Sequence, residues 1–560
     1  MSERKVHTVL QAISFLLLVW LVNQLADRVN FKLDLTEEKR YTISEATKRL
    51  LSSSNEEVTF EVYLDGDLPP NFERFKKSIA EMLERFEEES SGKVQFKFTD
   101  PAQAGSTQAR NAFFQSLMEK GLQPTRLNYS KDGDKLQKMI FPSAIAASGI
   151  NEIPVNLLKG NRSTSPDEIL NQSIEGLEYE LAAAIAQLTD GGTKRIALIT
   201  GHGAPNGEEL AGFKNAILNK YNLYETNLDG RKELLGYDVV IVGKPRTAFT
   251  EPEKYVLDQY LMKGGSLVFF LDALSVNIDS ALGEGTVAIP YETNLTDQLF
   301  KYGVRINKDL VLDVNSGQLP IVSGNFGNQP QIQMIPWPFF PVIANYSKHP
   351  AVRNLDAVMV RFASSIDTVK AVGITKTPLL SSTQYSKVLG PPVRVALNDL
   401  QDELREELFT DGVQNLGYLL EGRFTSLYAN RLVPKGFENS EFIEKGNPGK
   451  VIVISDGDLI INEFDPETRE PLALGVEAFT KTTFANQSLI LNVLDYLVDD
   501  SGLIATRSRE LKIRPLDRVK VKQEKSWWQA LNLVVPIILV LILGIFKWVL
   551  RRKTFASDHE

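Results

Sequence analysis

The sequence predicts an α/β fold bracketed by two membrane spans, and three observations lead there. Short apolar runs, among them Arg195–Thr200 (RIALIT), Asp238–Val242 (DVVIV) and Ser266–Leu271 (SLVFFL), alternate with stretches of helical period. Strands buried on both faces read this way, so the runs belong to a parallel sheet covered by helices. Each end of the 560-residue chain carries one apolar stretch that is long enough to cross a bilayer core of ~30 Å. Between them the chain is mixed in character, and the overall 43% hydrophobic and 24% charged content is ample for several folded domains.

In chain order, residues 1–5 read as a cytoplasmic N-terminus and 6–26 as the first transmembrane helix. Arg4 and Lys5 precede it, but the exit Asn23-Gln24-Leu25-Ala26-Asp27 offers no small-x-small cleavage site, so the segment reads as a retained anchor. Residues 27–190 read as a stalk and a first extracytoplasmic domain. Thr42 and Glu45 have capping-box spacing and start a short helix near Ile43. Glu57–Leu64 (EVTFEVYL) alternates as a strand does, and Phe72, Phe75, Ile79, Met82, Leu83 and Phe86 mark one helix face. Lys93–Thr99 (KVQFKFT) alternates again, completing a βαβ unit. Met139–Ala147 and Glu152–Leu158 add strand-like runs, a pattern that suits a thioredoxin-like α/β domain without its Cys-x-x-Cys chemistry. The helix Pro166–Leu188 stops at Asp190-Gly191-Gly192, which marks the domain boundary.

Residues 191–500 read as a doubly wound α/β domain with an insertion. After RIALIT comes the loop Gly201-His202-Gly203, then a helix bearing Leu210, Phe213, Ile217 and Leu218. A helix opened by Thr250 and Glu253 runs to Gly264-Gly265, and Lys450–Ser455 (KVIVIS) and a helix from Asn486 complete the sheet. The insertion contains Gln329–Pro350, whose prolines exclude it from a central strand. It reads either as an ordered loop on the sheet or, through Trp337, as a partner-facing surface. Leu397, Leu400, Leu404 and Leu408 stripe a surface helix. Residues 501–526 form a basic juxtamembrane stalk from Arg507 to Lys525, and 527–550 the second transmembrane helix. Trp527, Trp528 and Trp548 are placed as in an aromatic belt, Lys522 and Lys525 as juxtamembrane charges, and Pro536 at a kink. Residues 551–560, with Arg551–Lys553, read as a cytoplasmic C-terminus, which leaves the body outside. The basic stalk on the body side counts against that orientation, although long domains translocate largely regardless of charge.

Charge and composition narrow the chemistry. A net charge of −9 argues against a nucleic-acid partner, and the absence of cysteine excludes disulfides, thiolate metal sites and cysteine nucleophiles. No P-loop and no Gly-x-Ser-x-Gly elbow occurs, and four histidines in no paired motif give no metal site. No cofactor is expected. His202 and Gly203 are the leading ligand-site candidates, because open α/β sheets bind at the C-terminal ends of their strands. Glu208 follows them, and Asp456 and Asp458 sit at another strand end. The plainer reading is a tight glycine turn and an Asp-Gly turn. The sheet pattern is similar to class I glutamine amidotransferases, whose chemistry needs a cysteine that this chain lacks.

Several stretches taken in order resemble one family. They are DLTEEKRYTIS (Asp34–Ser44), QSIEGLEYELAAAI (Gln172–Ile185), ITGHG (Ile199–Gly203), HPAVRNLD (His349–Asp356), GRFTSLYANR (Gly422–Arg431) and SRELKIRPLDR (Ser508–Arg518). The chain resembles the GldG-type, substrate-binding-like auxiliary proteins of the gliding-motility-associated ABC transporter of Bacteroidota. That resemblance implies a periplasmic body fixed in the inner membrane beside an ABC permease subunit and a separate P-loop ATPase. It supplies no catalytic residues; two copies of the chain would match a two-fold permease. The expectation is therefore a non-enzymatic transporter subunit. The alternatives are a membrane-tethered hydrolase-like enzyme using the His202 loop, and a cell-envelope scaffold independent of a transporter.

Overall fold

The three buried runs become neighbouring parallel strands in the computed structural model. The structure describes residues 42–103, 106–131, 134–159, 165–189, 194–326, 329–397, 406–438, 440–499, 501–508 and 518–556, with Ile13, Ser14, Leu17 and Trp20. Those four residues are helical, and Ile13, Leu17 and Trp20 are exposed. The rest of the expected first span, 6–26, lies outside the described residues, as does most of the expected helix around Leu400 and Leu404. Two units divide the chain: Tyr41–Arg509, and the two ends Met1–Arg40 and Glu510–Glu560.

The larger unit begins with helix α1 (Glu45–Ser53). Its cap is Ser44, whose hydroxyl accepts the Thr47 N–H at 3.1 Å. The cap thus falls at Ser44 rather than at Thr42. Strand β1 (Val58–Val62), helix α2 (Pro70–Glu89) and strand β2 (Val94–Phe98) follow, with β1 and β2 parallel. Strands β3 (Ser143–Ser148) and β4 (Asn151–Asn156) pair antiparallel, giving a four-stranded sheet of order β2-β1-β3-β4. The expected single run Met139–Ala147 is divided: Asp134–Ile140 forms a hairpin with Thr125–Lys131, and β3 starts afresh after Phe141-Pro142. Helix α3 (Pro166–Thr189) lays Leu170, Leu177, Leu181 and Ile185 on the same core as Phe75, Ile79 and Phe86 of α2.

The second sheet starts with β5 (Arg195–Thr200), helix α4 (Ala211–Leu218), β6 (Asn222–Asn227), β7 (Val239–Gly243), helix α5 (Glu251–Met262) and β8 (Ser266–Phe270). The chain then runs out through an insertion with a long hairpin, β9 (Ser316–Phe326) and β10 (Gln329–Ile343). It returns through β11 (Asn345–Tyr346), β12 (Val358–Met359), β13 (Ile374–Ser381), β14 (Asn415–Thr425) and β15 (Lys445–Ile454), and closes with helix α6 (Asn486–Val498). Eight strands line up as β11-β13-β14-β15-β8-β7-β5-β6. The five from β15 to β6 are parallel, and β14, β13 and β11 continue antiparallel. Both faces are covered. Phe213 and Ile217 of α4 and Leu489, Ile490 and Val493 of α6 pack on one face. Tyr255, Val256 and Leu257 of α5 pack on the other.

The proline-rich stretch differs from the sequence expectation. Gln329–Ile343 is a strand, the middle one of β9-β10-β12. It tolerates its prolines because the ladder with β9 steps from Gln318↔Pro336 to Ser316↔Pro341. Trp337, Phe339 and Phe340 lie in that bulge and enter the insertion's core beside Phe362. Trp337 is 1% exposed, so it is a core residue and not a partner-facing one.

The smaller unit contains helix α7 (Arg518–Ala556), which continues through Pro536. Within it, Glu524–Leu550 contains an 18-residue window with a mean hydropathy of 2.8, and none of that window is buried. This helix is long and apolar enough to cross a membrane.

Candidate functional site

The parallel strands run in the order β6-β5-β7-β8-β15, so chain order reverses between β5 and β7. Open α/β sheets bind ligands outside the C-terminal strand ends at that reversal. His202 follows β5, Lys244 follows β7, Asp272 follows β8, and Asp456-Gly457-Asp458 follows β15. The sheet therefore brings His202, Asp456 and Asp458 to the same edge, that of the C-terminal strand ends.

The crevice between β5 and β7 is closed by its own loops. The carbonyl of His202 accepts the N–H of Arg246 at 2.7 Å and of Thr247 at 3.0 Å. Gly203 lies so close to Arg246 that a Cβ there would stand 3.2 Å from the arginine Cβ. Its φ of +66° and the +94° of Gly201 explain both glycines. The His202 ring stacks on Phe249 at 3.8 Å and 16°. Its Nε2 stands 3.3 Å from Glu253 Oε1, and its Nδ1 3.3 Å from the carbonyl of Ala248. Glu253 also accepts the Thr250 N–H at 2.8 Å, so His202 is tied to the N-terminus of α5. The carboxylate facing the imidazole is Glu253, whereas Glu208 stands exposed on the turn Gly207–Leu210.

Beside this lies a buried charge cluster. Lys244 Nζ bridges Asp272 at 2.6 Å and Asp458 at 2.7 Å. Asp272 accepts the Gly457 N–H at 2.5 Å, and Asp456 accepts the N–H of Asp458 at 2.7 Å and of Arg361 at 2.9 Å. Asp272, Asp456 and Asp458 present oxygens within 4.8 Å of one another, a spacing a cation could use. The ammonium of Lys244 already lies between two of them. Burial works against the Lys244 charge, but Asp458 and Asp272 outweigh it and push its pKa up. Burial is also the main reason that Asp272 and Asp456 are raised, with Asp458 adding to both. The cluster is close-packed, since a Cβ on Gly457 would meet Lys244 at 2.7 Å. Its ion pairs and hydrogen bonds tie together the segments that follow β7, β8 and β15. A small cavity of about 40 Å³ adjoins it, lined by Asp272, Tyr291 and Thr293 among others. A cavity of about 340 Å³ lies at the opposite, N-terminal strand edge, between Lys194, Asp238, Tyr260 and Lys263.

A second buried polar network joins α3 to α6. Asp495 accepts from Tyr179 at 2.8 Å, from Lys220 at 2.7 Å and from Tyr221. Burial alone would raise its pKa, but Lys220 and the hydrogen bonds of Lys220 and Tyr221 hold it below the ordinary value. Arg507 lies over the Tyr179 ring at 4.5 Å and pairs with Glu180 at 3.4 Å, while Lys159 pairs with the same carboxylate at 2.7 Å. The turn Leu503–Ser508 that carries Arg507 sits in the body, with Leu503 in the core of the first sheet. The expected solvated stalk from 501 is therefore packed structure in its first residues, because Leu503 and Ile504 are apolar anchors. On α7, Trp527, Trp528 and Trp548 are exposed, as is Lys525; Lys522 lies on the same helix. The Trp528 indole donates to Glu524 at 3.0 Å.

Lys244 and Asp272 were absent from the sequence reading. The rule that singled out His202 and Asp456 would have found them, since each directly follows a buried strand run.

Comparison with known proteins adds the following. The model of the family described as ABC-type uncharacterized transport system matches residues 193–493. A domain of unknown function matches residues 37–147. An uncharacterized protein of Borreliella burgdorferi is 21% identical over 537 residues, covering 93% of this chain and 94% of that protein. Among solved structures, the mmIFT52 N-terminal domain is similar at 12% identity and a TM-score of 0.29, covering 54% of this chain and 97% of that one. A ThuA-like protein of Parabacteroides merdae is similar at 12% identity and 0.26, covering 55% and 90%. Likenesses at that level establish nothing about function.

Proposed function

Because the chain belongs to the family of ABC-type uncharacterized transport systems, we propose that it is a non-enzymatic, membrane-anchored accessory subunit of an ABC transporter. It couples or presents substrate to a separate permease and a separate P-loop ATPase. The observation that carries this reading is the family match over 193–493, which spans the whole eight-stranded sheet from β5 to within α6. The unburied apolar stretch Glu524–Leu550 supports the membrane anchor.

In its finer form, the reading has two spans, both termini in the cytoplasm, a periplasmic body at the bacterial inner membrane and two copies beside a two-fold permease. Its service to gliding motility follows only from the GldG-type resemblance. The β2-β1-β3-β4 order, with β1 and β2 parallel, supports a thioredoxin-like first domain. The parallel order β6-β5-β7-β8-β15 supports an amidotransferase-like second one. A binding or coupling role, rather than hydrolysis at His202, is favoured by the closed crevice, where His202 meets Glu253 and the Ala248 carbonyl.

Gentle detergent extraction of the tagged full chain, followed by mass spectrometry, tests the proposal. A multi-span permease and a P-loop ATPase at comparable amounts are the expected result. Recovery of the chain alone, or with envelope proteins only, overturns it.

A further inference from the structure

No charged residue stands between Val314 and Ser347, and the hairpin β9–β10 lies within that stretch. The two faces of its ribbon differ. On the inner face Leu319 is buried, and Ile335 opposite it packs against the same core. The outer face carries Gln318, Pro320 and Val322, opposite Pro336, Met334 and Ile332. Val322 is 66% exposed and Ile332 54%. An antiparallel ribbon with one face on the core ordinarily turns polar side chains outward. This one turns out five apolar residues and one amide. Strand β9 is also an edge of its sheet, and it lacks the charges that commonly guard such edges, with Pro320 as its main protection.

We propose that this ribbon face is where two copies of the chain meet about a two-fold axis. A two-fold axis sets each patch against its own copy. A charged patch would repel itself, whereas an apolar patch matches itself and an amide both donates and accepts. Insertion into a lipid surface would call for basic residues around the apolar face, and this stretch has none. The proposal deepens the reading above and rests on it at one point. A six-residue face is smaller than the ~800 Å² per partner of a stable interface, so tethering to a shared membrane supplies the effective concentration.

The chain has no cysteine, so one introduced thiol is unique. Gln318→Cys, Val322→Cys and Ile332→Cys full-length chains are oxidised in their own membranes, with the exposed Lys232→Cys as control. The expected result is a disulfide-linked homodimer at one or more ribbon positions, several-fold above the control. Adding Val322→Lys to Gln318→Cys should lower that yield several-fold, because like charges meet at the axis. No homodimer at any ribbon position overturns the proposal, whether the thiols react with maleimide or lie covered by another protein. Fractionation of the same cells separates the two failures. A chain in the membranes without homodimer sinks the ribbon contact alone, whereas a chain in the soluble fraction removes the tether and the proposal with it.

Discussion

Lys244 shows how a single side chain holds one sheet edge together. It is almost fully buried and neutralises Asp272 and Asp458, so removing it strands carboxylates in a low-dielectric site. Lys244→Met should destabilise the body by about 3 kcal/mol or more near neutral pH, the usual cost of breaking a buried pair. The sign of its pH dependence follows from the carboxyls. Asp272 and Asp456 are raised in the folded state, and a raised carboxyl favours folding as pH falls through its folded value toward its unfolded one. The deficit of Lys244→Met should therefore shrink between pH 8 and about pH 5. Thermal melts of both proteins across that range check it, and a deficit that grows on acidification contradicts the assignment. Gly422 makes a second residue-scale case. Its φ is +145°, and a Cβ there would meet the Gly373 carbonyl oxygen at 2.1 Å. Gly422→Ala should lower stability by about 1–3 kcal/mol, measured by denaturant unfolding, through strain between β13 and β14.

At the scale of elements, legibility followed burial. RIALIT, DVVIV and SLVFFL were readable, each to within a residue of the observed strand, because strands covered on both faces are continuous apolar runs. Strand β6 (NLYETN) was missed because it is an edge whose side chains are mostly exposed, so no run or clean alternation marks it. Strands β13 and β14 were missed too, since their pairing partners lie far off in sequence and Pro378 and Gly422 interrupt their patterns. In Gln329–Ile343 the prolines were read as excluding a central strand, yet the segment is the middle strand of β9-β10-β12, because a bulge takes Trp337–Phe340 out of the ladder with β9. Of the site, His202, Asp456 and Asp458 were legible as strand-end residues. Lys244 stands at a strand end too and obeys the same rule, and Glu253 was legible only as the residue that opens a helix with Thr250. That these two meet Asp458 and His202 left no local pattern, because the contacts run between loops. The α3–α6 network carries its own prediction. Glu180 is held low: burial opposes its charge, but Lys159 and Arg507 outweigh it. Asp495 is held low as well. A depressed carboxyl gives stability above its unfolded pKa of about 4, and that stability is lost as pH falls through the folded value. Amides of α3 and α6 should therefore lose hydrogen-exchange protection below about pH 4 before those of β7 and β8 do. Arg507→Gln should move that loss to higher pH.

For the whole molecule, the chain divides at Tyr41 and Arg509 into a body and its two ends. Residues 41–509 contain the cores of both main sheets, whereas α7 keeps its apolar window exposed. A chain trimmed to 41–509 should be soluble without detergent and melt cooperatively, as gel filtration and calorimetry would show. The full chain should need detergent. If the trimmed chain aggregates, the terminal segments contribute to the fold of the body.

The position of Leu503 and Arg507 has a mechanical consequence. The last described turn before α7 is fastened to α3 and to the core of the first sheet. Tension along the chain at that point loads an apolar anchor and an ion pair before it reaches α6 on the face of the large sheet. A pull on the chain beyond Ser508 would thus meet Leu503 and the Arg507–Glu180 pair before it reached α6 or the eight-stranded sheet.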